Sequence, residues 1–287
     1  MKRLAALVSV LAIIGILAIL LRSGHSPEQQ GSAPIACQSL NQPSHPVSSA
    51  EETGFLKLVC DQASGAGGGY AHQCASLPGY PSSDYGGAGL GLGITLKSVV
   101  YGHLTSATAD EAYITYAGSF EPHASNYGGG ILFTKTSDGW VLNSWHPGGQ
   151  ADHCVLLTPS GRAHFVCLTG WEGQGEADSD LALTTLPPPQ GSHPTLLSAR
   201  DLRGTMDPNA NCKGRTSGQA LLLSIDTLSP ATGGAAARIT YVSPTAAQAA
   251  CATNQLANAP TSSATLSLQW EGGEIKTTPD MNFAAFQ

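Results

Sequence analysis

Charge is scarce in this chain: 11% of its 287 residues are Asp, Glu, Lys or Arg, and the 13 basic residues are scattered. Binding to a polyanion releases counterions only where cations cluster, so nucleic acid is excluded as a partner. None of the seven cysteines forms a C-x-x-C, which removes zinc ribbons and thioredoxin-type sites. Gly-x-Ser-x-Gly, Ser-x-x-Lys, HExxH and the EF-hand spacing are also missing. With them go the familiar serine nucleophiles, the zincins and the EF-hand calcium loop. Long helical patterns are few, because 34 Gly and 18 Pro interrupt the chain, whereas 41% hydrophobic residues suffice to build a core.

What is present starts with Met1, Lys2 and Arg3, followed by an apolar run of 18 residues from Leu4 to Leu21 that stops at Arg22. As a helix the run spans about 27 Å, near the thickness of a bilayer's hydrocarbon core. No Ala-x-Ala follows, and the small residues of Gly24-His25-Ser26 and Gly31-Ser32-Ala33 each precede a proline. Residues 1–22 are therefore expected to be an uncleaved transmembrane signal anchor. Lys2 and Arg3 against Arg22 place the amino terminus in the cytoplasm, leaving the main domain periplasmic or extracellular. Beyond residue 22 the balance is 10 basic (13 less Lys2, Arg3 and Arg22) against 20 acidic residues, which disfavours adhesion to an anionic membrane surface. Residues 23–50, with Pro27, Pro34, Pro43 and Pro46, read as a linker. Residues 51–287 read as the exported domain, and the Pro187-Pro188-Pro189 crossover near 187–194 is where two halves would divide.

In an exported chain, disulfides are the default use of cysteine. Proximity pairs Cys60 with Cys74, Cys154 with Cys167, and Cys212 with Cys251, and leaves Cys37 in the linker as a free thiol or a bridge in a covalent dimer. From residue 92 the pattern is antiparallel β: short segments rich in Val, Ile, Thr, Tyr and Leu alternate with turn residues. The fold class expected is mainly β, a sandwich or partial propeller of antiparallel hairpins with a few short helices. One hairpin joins Ile131–Thr134 to Trp140–Leu142 through Ser137-Asp138-Gly139. Another turns at 158–162, where a four-residue loop sets Cys154 opposite Cys167 and a three-residue loop sends them to opposite faces. Ser49-Ala50-Glu51-Glu52 reads as a helix capping box, and Ser243-Pro244 as the start of a helix stopping near Asn258.

His103–Thr108 followed by Ala112–Tyr116 aligns, with one gap, to Thr227–Thr232 followed by Ala237–Tyr241. With Gly102-His103-Leu104-Thr105 and Ala109-Asp110-Glu111-Ala112-Tyr113-Ile114 in the corresponding places, this arrangement resembles the FG-GAP or VCBS-type repeats of β-propellers. In those repeats an Asp-rich loop between strands wraps calcium. The resemblance implies a β-hairpin in each copy; the alternating Asp and Asn ladder that would hold calcium is absent from both.

Polar chemistry gathers in the loops 118–129, 145–153 and 171–179, as a site grafted onto a β scaffold would require. Glu121, His123, His146 and His153 form a donor set suited to zinc or iron, because imidazole and carboxylate together match their ligand preferences. Glu172, Glu176, Asp178 and Asp180 offer oxygens for calcium, or a solvated acidic turn. Trp145 and Trp171, with Tyr127, allow an aromatic patch for a carbohydrate or protein partner, or ordinary core packing. The leading expectation is a membrane-anchored, non-catalytic binding or envelope-associated module. The alternative is an extracytoplasmic metal-dependent hydrolase.

Overall fold

The computed structural model describes residues 44–66, 68–81, 91–120, 128–147, 151–158, 163–173, 176–186, 195–202 and 207–284. The apolar run, Cys37, Glu121, His123 and Tyr127 lie outside them. No helix among the described residues is long and apolar enough to cross a membrane. The architecture is mainly antiparallel β with few helices, in three sheets that follow one another along the chain.

The first sheet runs β1 (His45–Pro46), β3 (Gly93–Gly102), β4 (Glu111–Gly118), β5 (Gly128–Thr136) and β6 (Gly139–Pro147), with β2 (His72–Gln73) also paired to β3. The second is an up-and-down meander of β7 (Ala151–Thr158), β8 (Ala163–Gly173), β9 (Glu176–Leu186) and β10 (Thr195–Arg200). The third is another, of β11 (Leu221–Ala231), β12 (Gly234–Val242), β13 (Thr261–Glu271) and β14 (Glu274–Thr278). Strands outrun the apolar segments that mark them in the sequence, because polar residues continue the ladder past the core. β1, β2 and β10 carry no clear alternation and are additions to the sequence reading.

Side chains alternate across a strand, and the middle sheet uses both of its faces. Phe165, Cys167, Cys154 and Leu186 point one way and pack with Val100, Tyr113 and Leu132 of the first sheet. Val155, Val166, Leu181 and Ala199 point the other way and pack with Leu222, Ile225, Ile239 and Leu268 of the third. That second core joins residues on both sides of the triple proline. Each fully buried Leu, Ile or Phe contributes about 1.5–3 kcal/mol through area removed from water.

Helix α1 (Ser49–Val59) covers the outer face of the first sheet, where Phe55 lies 4.7 Å from Phe133 and 5.6 Å from Trp140 between ring centroids. Its N-cap is Ser48, one residue before the expected Ser49. Tertiary partners select this frame: the Glu51 carboxylate takes Ser48 N at 2.8 Å, the Tyr101 hydroxyl at 2.8 Å and His45 Nε2 at 3.0 Å. The folded body thus already includes Ser44 to Pro46, which the sequence reading assigned to the linker. Helix α2 (Pro244–Ala252) has the expected Ser243 cap, whose side chain accepts from Ala246 N. It stops before Asn258, and a separate 3-10 turn covers Leu256–Asn258.

All three expected disulfides form: Cys60–Cys74, Cys154–Cys167 and Cys212–Cys251. Cys154 pairs directly with Cys167 in the β7–β8 ladder, the register of the four-residue-loop alternative. The two segments aligned as repeats each belong to a hairpin, but the hairpins differ. Gly102 pairs with Glu111 across residues 103–110, whereas Ala231 pairs with Gly234 across a two-residue turn. In the first, the buried Glu111 carboxylate accepts from Leu104 N at 2.8 Å and Thr105 N at 2.7 Å, so its oxygens close the loop.

Candidate functional site

In the first sheet the registers set the ends of β4 and β6 beside the start of β5, and in the second the start of β7 lies toward the end where β8 finishes and β9 begins. Ala117 pairs with Gly128 across 118–127, and Gly129 pairs with Pro147, the last residue of β6. β7 then begins at Ala151, paired to Thr169, four residues before the β8 end at Gly173. Of the four expected metal ligands, Glu121 and His123 lie outside the described residues. His146 Nε2 is 2.9 Å from Ser144 Oγ, with its ring 6.2 Å from that of Tyr113. His153 is on β7, with Nδ1 3.4 Å from Ser44 Oγ, and burial pushes its pKa down, favouring neutral imidazole. Among the described residues no group of three or more His, Cys, Asp or Glu is arranged to hold a metal ion.

Tyr113 owes its position to glycine. A Cβ on Gly130 would lie 1.9 Å from the Tyr113 hydroxyl oxygen, so only a bare backbone leaves room for this buried phenol. Burial pushes the phenol pKa up, keeping it protonated. Trp145 is core rather than ligand surface: it is 7% exposed, donates Nε1 to Pro78 O at 3.0 Å, and meets Tyr80 and Tyr116 edge-on.

The acidic run is not one loop. Asp178 and Asp180 sit inside β9, two residues apart and so on one face, the face that carries Cys167 and Phe165 further along the sheet. Arg200 pairs with Asp178 in the ladder and donates Nε to its carboxylate at 3.1 Å, while Ser198 is opposite Asp180. Burial is the main influence that raises the Asp180 pKa, and the Asp178 charge adds to it. Hydrogen bonding from Ser198 and the Arg200 charge oppose the rise without cancelling it. Its buried Oδ1 has no hydrogen-bond partner among the described residues. A carboxyl group held this way is a functional candidate because it costs the fold stability. Sequence reasoning saw the carboxylates but not their shared strand face, since it began this strand at Leu181 and read 172–180 as a turn; β10, which supplies Arg200 and Ser198, was not anticipated either.

A second place has the shape of a ligand site. A cavity of about 590 Å³ opens beside α1 and the loop closed by Cys60–Cys74. Leu56, Cys60 and Pro78 give it an apolar floor, and Glu52, Lys57 and His72 a polar rim. Glu52 Oε1 is 3.0 Å from His72 Nε2, which ties the helix to β2. The volume lies in the range of small-molecule sites. The sequence held one hint of this concavity, the disulfide-closed Gly-rich loop next to a helix, but nothing in residue spacing marks a hollow.

No family model, curated protein or solved structure matches this chain.

Proposed function

We propose that the chain is an extracytoplasmic binding module: a layered β-sandwich exported across the inner or plasma membrane and held there by an uncleaved helix over residues 1–22. Three disulfides inside one body fit an oxidising compartment, and the apolar run after Lys2 and Arg3 fits the tether. The sandwich reading is preferred to a partial propeller because the middle sheet packs on both faces into two separate cores.

The cavity beside α1 carries the binding reading, with a small ligand placing an apolar body against Leu56 and Pro78 and a polar group at Glu52, Lys57 or His72. The loop end of the first two sheets is the proposed surface for a protein or carbohydrate partner, and Cys37 the proposed link in a covalent dimer. The alternative, a hydrolase with zinc or calcium, has less support. The two described imidazoles of its donor set each engage a serine hydroxyl, and they do so on different strands.

Saturation-transfer NMR on the full-length chain, with a panel of small aromatic acids and amines, tests the cavity. Thr53 is exposed and lines it, so Thr53→Trp fills the space without touching the core. Signals present in the wild type and lost in this variant are expected. Equal signals in both proteins, or none in either, would contradict the assignment.

A further inference from the structure

On the α2 side of the third sheet the Cys212–Cys251 disulfide forms part of the wall of a cavity of about 160 Å³. Arg215, Thr216, Ser217 and Gly218 make a second wall, and Pro244 and Gln248 of α2 a third. Arg215 donates Nη2 to the carbonyl of Gln219. Its Nε and Nη1 are buried and have no acceptor among the described residues. A guanidinium stays protonated in proteins, so these two donors of the half-buried Arg215 side chain lack a matching anion among the described residues. Among the described residues no carboxylate lines the cavity, whereas two hydroxyls and an amide do. The amino end of α2 adds the positive end of its dipole.

The space of about 160 Å³ has room for an oxyanion. We propose that this cavity is a binding site for an oxyanion, a carboxylate or phosphate group, with Arg215 as its charge partner and Thr216, Ser217 and Gln248 as hydrogen-bond donors. Binding requires a local outward shift, because Nε and Nη1 are shielded from solvent. Thr216, Ser217 and Gly218 are all exposed, so the turn they form is the part of the wall freest to give.

Calorimetric titration of the full-length chain with sodium phosphate, and separately with sodium acetate at matched ionic strength, tests this. Saturable binding of at least one is expected, and the tighter of the two identifies the group the site takes. Arg215→Met should weaken it by about tenfold or more, as loss of a charge-assisted partner would. Gln248→Glu changes an exposed side chain and sets a carboxylate at the cavity wall. It should abolish the binding and raise the melting temperature without added anion, and it decides the question alone if Arg215→Met does not fold. No saturable binding of either anion, or equal affinity in the wild type and Gln248→Glu, would overturn the proposal.

Discussion

Asp180 is a half-buried carboxylate and Glu51 a buried one, and their surroundings act in opposite senses. Burial raises the Asp180 pKa from 3.8, with Asp178 adding to the rise. A raised folded value means that stability is fullest below the unfolded value and falls as pH rises through the folded one. Asp180→Asn should therefore raise the melting temperature at pH 7, with a gain that shrinks as both proteins are taken toward pH 3; thermal unfolding at several pH values reads this directly. For Glu51 burial also pushes upward, but hydrogen bonds from Ser48, Tyr101 and His45 outweigh it and hold the pKa below 4.5. Its contribution is present above that value and lost as pH falls through the lower folded one. Glu51→Gln should cost about 2 kcal/mol at neutral pH, typical of hydrogen bonds to a charged group, and less in acid. Denaturant titration at two pH values measures the difference. The capping role of an acidic residue here was legible in the sequence; the choice of Ser48 over Ser49 was not, because it is made by Tyr101 and His45 from elsewhere in the chain.

Hairpins were the most legible elements, since alternation and turn residues are local. The β5–β6 hairpin turns at Ser137 and Asp138, with Gly139 already in the strand at φ +122°, a value suited to glycine. The β7–β8 register was legible only as two alternatives, because loop length sets which face Cys154 takes. Gly130 shows what alternation cannot reveal. The residue reads as an ordinary strand position, yet Gly130→Ala should destabilise by about 1–3 kcal/mol through overpacking against Tyr113. Equal stability of this variant and the wild type in urea would show that the phenol has another place to go. The Cys212–Cys251 bridge ties α2 to the Pro208–Cys212 turn across a separation of 39 residues. Replacing both cysteines with Ala should cost about 4 kcal/mol on loop-closure grounds, more than removing either shorter bridge. Parallel unfolding of the three double variants ranks them.

At the scale of the whole molecule, mainly antiparallel β structure followed from composition and turn spacing, and the three disulfides from neighbouring cysteines. The stacking of three sheets did not, because it depends on which face of each strand meets which neighbour. Val166 and Phe165 are adjacent in sequence and serve different cores. The hollow beside α1 escaped the sequence for the same reason: clustered histidines and carboxylates are visible in a sequence, whereas a hollow is a product of packing. The central claim joins the two ends of the chain, an apolar tether and an oxidised body on the far side of a membrane. Protease added to intact right-side-out membrane vesicles carrying the full-length chain tests it most directly. The account predicts that the chain sediments with the membranes, survives carbonate extraction, and has its body cut from outside unless the vesicles are inverted. A soluble chain, or a body protected in right-side-out vesicles and cut in inverted ones, would contradict it.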